Sequence, residues 1–321
     1  MKAIVQYEYG SPDVLELRDI EKPVVGDGEV LVRVQAAGVH IGDWLLMNGL
    51  PYLVRLVSGL LRPKNHVPGS DVAGRVATVG KNVSQFQPDD EVFGWGNGAF
   101  AEYVSVSEDA LALKPANLTF EQAAAVPVSA FTALHALRDK GEVEPGQKVL
   151  IIGASGGVGT YAVQIAKSYG AEVTGVCGTR NVDLVRSIGA DHVIDYTQED
   201  ITRNGQRYDV ILDTAGNRSL SHLRRALTPR GTLVIVGGSG GRWLMGSGRS
   251  LGALMLSPFV RQRLRPFLSI ANKEDLGFLK ELIESGKVTP VIDGTYELSD
   301  LPEAIGHVGE RHTRGKTVIT V

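Results

Sequence analysis

The stretch KVLIIGASGGVGTYAVQIAK, residues 148–167, places glycines at three-residue intervals between an apolar run and an amphipathic stretch. Gly153, Gly156 and Gly159 would then lie in a turn that leads from a strand into a helix. Backbone N–H groups at the start of a helix point at an anion, and the helix dipole favours negative charge there. The spacing departs from the stricter G-x-G-x-x-G pattern, and a tight turn without a ligand is the alternative interpretation.

Strand-like and helical segments alternate from this loop to about residue 266. The strand-like runs are AEVTGVC, HVIDY, YDVILDTAG and GTLVIVGG, and amphipathic stretches separate most of them. Continuous apolar strands in such an order predict a doubly wound parallel sheet with helices on both faces. This context favours a dinucleotide-binding loop over a plain turn.

The sequence before residue 115 has a different pattern, with short strand-like runs separated by Gly, Pro, Asn and Asp. DVAGRVATVG, DEVFGW and AFAEYVSV are examples, and they predict a barrel-like all-β unit. NLTFEQAAAV then predicts a helix that begins near Asn117 or Thr119. The tail ends in a strand-like run, KTVITV. We predict a β domain made from residues 1–122 and 267–321, with an α/β domain at 123–266 inserted between them.

The end of the second strand of the α/β domain indicates which dinucleotide is bound. An acid at this place, about 20 residues past the loop, reads the ribose of NAD. Here the chain has Gly178, Thr179, Arg180 and Asn181, and no acid. Arg180 would pair with a 2′-phosphate and Thr179 would donate a hydrogen bond to it. The sequence therefore favours NADPH over NADH, although Arg180 as an ordinary surface arginine is the alternative.

Composition excludes several other classes. The net charge of -3 and the absence of a Lys/Arg cluster argue against nucleic-acid or membrane-surface binding. One cysteine, Cys177, allows no disulfide framework and no thiolate zinc cluster within a chain. The N-terminus lacks the apolar core of a signal peptide, and the longest apolar window is too short to span a bilayer. We expect a cytoplasmic protein.

Several motifs together resemble the medium-chain dehydrogenase/reductase superfamily, in its zinc-independent quinone oxidoreductase branch. They are VPGSDVAGRVATVGKNVSQFQPDDEVFG, GAFAEYVSV, AAAVPVSAFTALHAL, GQKVLIIGASGGVGTYAVQIAK and GADHVIDY, and the resemblance runs over almost the full length. It implies a GroES-like β domain, a Rossmann domain, a cofactor in the cleft between them and commonly a homodimer.

The resemblance also implies roles for individual residues near the cofactor. The pyrophosphate loop would contain Ser155, Gly156, Gly157 and Val158, and the adenosine end would lie near Thr179, Arg180 and Tyr196. The backbone of Val236 and Gly237 would face the nicotinamide, and Ser129 and Thr132 would line the nicotinamide ribose and ring.

Zinc-dependent relatives hold their metal with a Cys followed by x-x-Asp and with a His-Glu pair after a glycine. This chain has HIGD, with His40 and Asp43, at the first place, and GSD, with Ser70 and Asp71, at the second. A weak nitrogen and oxygen site of His40 and Asp71 is the alternative, but a catalytic zinc normally has three protein ligands, mostly His and Cys. We therefore expect no metal.

Without zinc, a substrate that delocalises the incoming negative charge is favoured, and quinones and α,β-unsaturated carbonyls do this. His40 and Tyr52 are the expected hydrogen-bond donors to the carbonyl oxygen, and Asp43 has an orienting role. Tyr52 lies where related enoyl reductases have a proton-donating tyrosine, although simple packing explains it equally well.

Other functions stay open at this point. An enoyl-thioester reductase would need a basic entrance, for which Arg55, Arg62 and Lys64 are candidates. A zinc-type alcohol dehydrogenase and a non-catalytic NADPH-binding scaffold protein are the remaining alternatives. The segment at 239–266, with Trp243, Met245 and Met255, would either wall an apolar substrate pocket or form a dimer contact.

Overall fold

The computed structural model describes residues 1–203, 205–237, 247–267 and 269–321. Contacts divide the chain into two compact units. Unit 1 comprises residues 1–131, 271–286 and 290–321, and unit 2 comprises residues 132–270 and 287–289. The division between the units falls at 131/132 and 270/271. The domain boundaries predicted from the sequence, at 122/123 and 266/267, stay a prediction.

The strands of the described residues are β1 (Lys2–Gln6), β2 (Leu15–Asp19), β3 (Glu29–Val39), β4 (Asp71–Val79), β5 (Glu91–Trp95), β6 (Tyr103–Ser107), β7 (Leu111–Leu113), β8 (Lys148–Ile152), β9 (Glu172–Cys177), β10 (His192–Asp195), β11 (Tyr208–Asp213), β12 (Leu227–Ile235), β13 (Arg263–Pro266), β14 (Ile292–Glu297) and β15 (Lys316–Thr320).

The α-helices are α1 (Ile41–Asn48), α2 (Arg55–Ser58), α3 (Phe120–Ala124), α4 (Pro127–His135), α5 (Gly157–Ser168), α6 (Val182–Ser187), α7 (Leu220–Ala226), α8 (Ser247–Leu256), α9 (Lys273–Glu284) and α10 (Leu301–Gly309). No helix of the described residues is long and apolar enough to cross a membrane.

Unit 2 contains a six-stranded sheet in the order β10-β9-β8-β11-β12-β13, and every pair in it is parallel. The central strands β8, β9 and β11 are mostly apolar and buried, as expected where helices cover both faces of a sheet. Residues 149–152 of β8, for example, are all buried. This is the doubly wound sheet that the alternating pattern predicts, and that prediction is confirmed.

Unit 1 contains a seven-stranded sheet in the order β14-β15-β3-β4-β5-β7, with β6 also paired to β3. The predicted closing strand is β15, which pairs with β14 in parallel and with β3 in antiparallel orientation. A separate antiparallel pair is formed by β1 and β2. The strand-rich unit predicted for the first part of the chain is confirmed.

Two short helices follow β7 and carry the chain toward unit 2. Thr119 caps α3, with its side chain on the N–H of Gln122 and the Gln122 side chain on the N–H of Thr119. Such a reciprocal cap satisfies two amides that the helix leaves unpaired. The helix start predicted near Asn117 or Thr119 is confirmed, and α4 begins three residues after α3 ends.

Candidate functional site

Two glycines of the loop between β8 and α5 have no room for a side chain. Gly153 has a φ of +84°, and a Cβ on it would meet the hydroxyl of Thr214. A Cβ on Gly159 would collide with the carbonyl oxygen of Gly153, so the first turn of α5 packs directly on the loop. Gly156 caps α5 without a side chain above it. The first amides of a helix have no acceptor within it, so the start of α5 fits an anion such as a pyrophosphate.

Predicted pyrophosphate-loop residues lie at the start of α5. Gly157 and Val158 form its first turn, Gly156 is its N-cap, and Ser155 precedes it. The hydroxyl of Ser155 accepts from Nδ2 of Asn181 at 3.0 Å, and both residues are buried. Oδ1 of Asn181 is also buried and has no hydrogen-bond partner. The donation from Nδ2 joins the loop to the segment after β9, and the orphaned Oδ1 is an acceptor to which the sequence alone assigned no role.

Asp195, the last residue of β10, binds the predicted 2′-phosphate residue Thr179. Its carboxylate accepts from the Thr179 hydroxyl at 2.6 Å, the Gln198 amide at 3.0 Å, and the Thr197 N–H and hydroxyl at 3.0 and 2.8 Å. The Thr179 hydrogen bond, with those of Thr197 and Gln198, lowers the pKa of Asp195. The Thr179 hydroxyl is thus committed to Asp195, which differs from the donation to a phosphate that the sequence suggests.

The other residues expected at the adenosine end are exposed. Arg180 follows Thr179 on the surface, and Tyr196 is 56% exposed. A Cβ on Gly178 would lie 3.3 Å from the Tyr196 hydroxyl, so the two residues are adjacent. A polar pocket of about 550 Å³ opens beside Tyr196, and Arg203 and Arg218 are among its lining residues.

At the end of β12, the N–H groups of Val236 and Gly237 both donate to the backbone oxygen of Asp213 at 3.0 Å. A Cβ on Gly237 would collide with the carbonyl oxygen of Thr214, so this approach requires glycine. The Asp213 carboxylate is fully buried and accepts from Nη2 of Arg249 at 2.5 Å. The sequence analysis missed this ion pair because α8, which supplies Arg249, lies 36 residues away.

In unit 1, His40 and Asp43 come together at the start of α1. The backbone N–H of His40 donates to Oδ2 of Asp43 at 2.9 Å, and Nε2 of His40 lies 3.5 Å from the same oxygen. Nε2 also lies 3.2 Å from the hydroxyl of Ser70. Burial raises the pKa of Asp43; the charge of nearby Asp71 adds to this, whereas His40 and Lys316 oppose it.

Asp71 is fully buried and uses both carboxylate oxygens. Oδ2 lies 3.1 Å from Nζ of Lys316, which is 2% exposed, and Oδ1 accepts the N–H of Val128 at 2.9 Å. Val128 belongs to α4, the helix that also contains Ser129 and Thr132. Ser129 is buried, whereas Thr132 is half-buried.

Tyr52 lies in a 3-10 turn and contacts Arg55, whose guanidinium stands 4.9 Å from the centre of the Tyr52 ring and 4.4 Å from that of Tyr9. Arg55 also donates to the backbone oxygens of Gly49 and Asn48. Arg55, a candidate for a basic entrance, is therefore engaged in holding this segment together. The catalytic role of Tyr52 stays a prediction.

The residues at the place of the zinc ligands do not fit zinc. Both oxygens of Asp71 are engaged by Lys316 and Val128, and Ser70 is a poor zinc ligand. Across residues 1–203, 205–237, 247–267 and 269–321, no three His, Cys, Asp or Glu side chains group as metal ligands. We derive no catalytic step through a metal.

Part of the predicted pocket wall at 239–266 falls outside the described residues, including Trp243 and Met245. The rest forms α8 and β13. In α8, Ala253 is buried in the core, whereas Leu251, Leu254 and Met255 are exposed. The two roles predicted for this segment, a pocket wall and a dimer contact, stay predictions.

Known proteins share this fold, and the family model for the first part of the chain confirms the predicted GroES-like domain. Residues 26–116 match the family model described as alcohol dehydrogenase GroES-like domain, and residues 188–319 match the one described as zinc-binding dehydrogenase. The chain is 33% identical to a chloroplastic quinone-oxidoreductase of Triphysaria versicolor, over 98% of this chain and 97% of that protein. It is 34% identical to an NADPH-dependent alkenal/one oxidoreductase of Arabidopsis thaliana, over 99% of this chain and 79% of that protein.

Solved structures are similar as well. The quinone oxidoreductase of Coxiella burnetii superposes with a TM-score of 0.88 at 29% identity, covering 100% of this chain and 99% of that one. The quinone oxidoreductase of Escherichia coli in complex with NADPH has a TM-score of 0.83 at 26% identity, covering 100% of both chains.

A two-unit oxidoreductase that uses a nicotinamide dinucleotide is the class that this fold and these matches define. The chain belongs to the medium-chain dehydrogenase/reductase superfamily, in its zinc-independent quinone oxidoreductase branch.

Proposed function

We propose that this protein is an NADPH-dependent reductase of quinones or α,β-unsaturated carbonyl compounds. The observation that carries the proposal is the engagement of Asp71 by Lys316 and Val128, because it removes a ligand from the place where zinc relatives bind metal. An acceptor that delocalises charge by itself needs no Lewis acid. The names of the relatives, quinone and alkenal/one oxidoreductases, agree with this substrate class.

The reduced nicotinamide would supply a hydride, either to the β-carbon of an enone or to a quinone. The enone then becomes an enolate that takes one proton. A quinone becomes the hydroquinone monoanion when it takes the hydride, and one proton then gives the neutral hydroquinone. The protein must orient the acceptor, stabilise the developing negative charge on oxygen and exclude water.

His40 is the donor for which the structure offers most support. Its Nε2 lies 3.2 Å from the Ser70 hydroxyl and 3.5 Å from Oδ2 of Asp43, so both groups orient the ring through the same nitrogen. Asp43 is buried and would orient the ring rather than contact substrate. Tyr52 is proposed as the second donor, with Arg55 fixing its ring.

We propose NADPH rather than NADH because the carboxylate of Asp195, the acid at the adenosine end, already accepts hydrogen bonds from the chain itself. The four donors on Asp195 fill the acceptor capacity of a carboxylate, so it has none left for a ribose 2′-hydroxyl. Arg180 is exposed beside it, and Arg203 and Arg218 line the pocket next to Tyr196. Arg180 is the cation proposed to pair with a 2′-phosphate, because the two pocket arginines share their lining with Glu199 and Asp200.

A homodimer and a cytoplasmic location also belong to the proposal. The relatives differ in location, since their names include chloroplastic and mitochondrial proteins. Light scattering coupled to size-exclusion chromatography measures the mass of the particle and would show a dimer or a monomer directly.

The test of the function is the oxidation of NADPH, followed by absorbance, with a naphthoquinone, an enone and a crotonyl thioester. We expect turnover with the first two. Faster turnover of the thioester would favour an enoyl-thioester reductase. No turnover on any of them, despite NADPH binding, would favour a scaffold protein.

The roles of His40 and Tyr52 need a matched pair of double variants. His40→Ala/Tyr52→Phe should lower kcat/KM on a good enone by about a hundredfold, the size typical of lost acid catalysis and oxyanion stabilisation. His192→Ala/Tyr7→Phe removes the same groups from exposed places and should leave kcat/KM unchanged. An unchanged kcat/KM in the first variant would refute the assignment.

A further inference from the structure

Lys316 brings an ammonium group into the interior of unit 1. It is 2% exposed, and its Nζ lies 3.1 Å from Oδ2 of Asp71, which is 0% exposed. Taking both charges out of water costs free energy that a pair of apolar side chains would not cost. A buried ion pair is therefore weak evidence that the pair stabilises the fold. What the pair contacts is a better guide to its role.

The other carboxylate oxygen of Asp71 reaches a helix. Oδ1 accepts the N–H of Val128 at 2.9 Å. Val128 is the second residue of α4, where amides have no partner within the helix. An ionised carboxylate is the strongest acceptor available for such an amide, and it also complements the helix dipole. The side chain of Asp71 in β4 thus caps α4, while Lys316 in β15 holds the carboxylate.

Gly38 keeps this junction tight. It pairs with Asp71 across β3 and β4, and a Cβ there would collide with the carbonyl oxygen of Ala124 and lie 3.0 Å from Oδ2 of Asp71. Ala124 is the last residue of α3, so the turn between α3 and α4 lies directly on the sheet. The start of α4 has little freedom to shift while Asp71 stays in place.

We propose that Asp71 and Lys316 are positioning residues, which hold the first turn of α4 and with it Ser129 in place for the nicotinamide ribose. This inference rests on the proposed function, because it takes Ser129 as a cofactor contact. Ser129 follows Val128 directly and is buried, so its position is set by the same turn. Asp71 and Lys316 act through α4 and have no contact with the cofactor themselves.

Two double variants separate the hydrogen bond to α4 from the charges. Asp71→Asn/Lys316→Met removes both charges at similar volume and keeps an amide oxygen that can accept from Val128. Asp71→Leu/Lys316→Met removes the charges and the acceptor. Lys81→Met/Asp27→Asn deletes an exposed ion pair beyond the opposite ends of β3 and β4, as the control.

The first measurement is the dissociation constant of NADPH, from its fluorescence on binding. We expect Asp71→Leu/Lys316→Met to bind NADPH about tenfold more weakly, as lost positioning of one contact would cause. The asparagine-containing variant and the control should stay within about twofold of the parent chain. If Asp71 and Lys316 had a merely structural role, both double variants would lose NADPH affinity to the same extent. Affinity that is kept only in the asparagine-containing variant therefore supports the positioning role.

The second measurement is hydrogen–deuterium exchange over residues 126–131, which reports on α4 without any cofactor. Exchange should be faster in the leucine-containing variant alone. Equal NADPH affinity and equal exchange in all the variants would overturn the inference. If the parent chain binds no NADPH, the proposed function fails, and the exchange result alone decides whether Asp71 holds α4.

Discussion

The hydroxyl of Thr179 donates to the carboxylate of Asp195 across 2.6 Å and so joins the ends of two neighbouring parallel strands. Asp195 is therefore an acid beside Thr179, where the proposed NADPH would have its 2′-phosphate. Its charge opposes the phosphate even though its oxygens are unavailable to a ribose hydroxyl.

Replacing this acid should therefore tighten NADPH binding. Asp195→Asn keeps an oxygen for Thr179 and removes one negative charge. We expect the KM for NADPH to fall about threefold at low salt, with a smaller change at high salt, because exposed charges are screened. The KM for NADH should stay unchanged, and an equal change for both nucleotides would contradict the charge argument.

Removing the proposed phosphate partner should have the opposite effect. We expect Arg180→Ala to raise the KM for NADPH by about tenfold, the effect of losing one charge-assisted contact, while kcat/KM for NADH is unaffected. Arg186→Ala removes a comparable exposed arginine from α6 and serves as the control. If the two variants are indistinguishable, another group binds the phosphate, and the arginines beside Tyr196 are the next to test.

Asp43 makes stability depend on pH in a defined direction. Its pKa is raised in the folded protein, mainly by burial, so the folded state binds a proton more tightly than the unfolded chain. The free energy of unfolding should then fall as pH rises from about 4, the unfolded value, through the raised pKa of the folded state.

The substitution Asp43→Asn removes this titration while keeping an acceptor for the His40 N–H. Relative to the parent chain, the variant should be more stable at pH 7 than at pH 4, as measured by urea unfolding at both pH values. Asp183→Asn, at an exposed position, is the control. A stability difference that is the same at both pH values would show that Asp43 does not titrate between them.

Cys177 should be unreactive in the folded protein. Burial, together with the charge of Asp195, raises its pKa to about 11. At pH 8 about one thiol in a thousand is then ionised, and the thiolate is the reactive form. We expect a disulfide reagent to label the native chain far more slowly than the chain in guanidinium, with Cys177→Ser as the blank. Equally fast labelling in both conditions would contradict the raised pKa.

Local patterns were sufficient to predict five of the six described strands of the unit 2 sheet, β8 to β12, whereas β13 was not predicted. The glycine spacing and the apolar runs report on residues that are neighbours in sequence, and β8, the loop and α5 follow from them. The capped start of α3 is local in the same way. These features needed no knowledge of the tertiary structure.

The partners of the site residues could not be predicted in this way. Asp195 could not be predicted because the sequence pattern for a ribose-binding acid places it at the end of β9. Asp195 lies instead at the end of the adjacent strand, β10. Lys316 was missed because it lies 245 residues from Asp71. A single sequence carries no signal for such a pairing, which arises when β15 enters the sheet beside β3.

The strand β15 is among the last parts of the chain to be synthesised. All strands of the six-stranded sheet have been synthesised by Pro266, whereas β14 and β15 of the other sheet are still to come. Until Lys316 emerges from the ribosome, Asp71 lacks the cation that accompanies it into the interior, and water must solvate its carboxylate. Unit 1 therefore closes around residue 71 after unit 2 has all its strands, although most of unit 1 is made first.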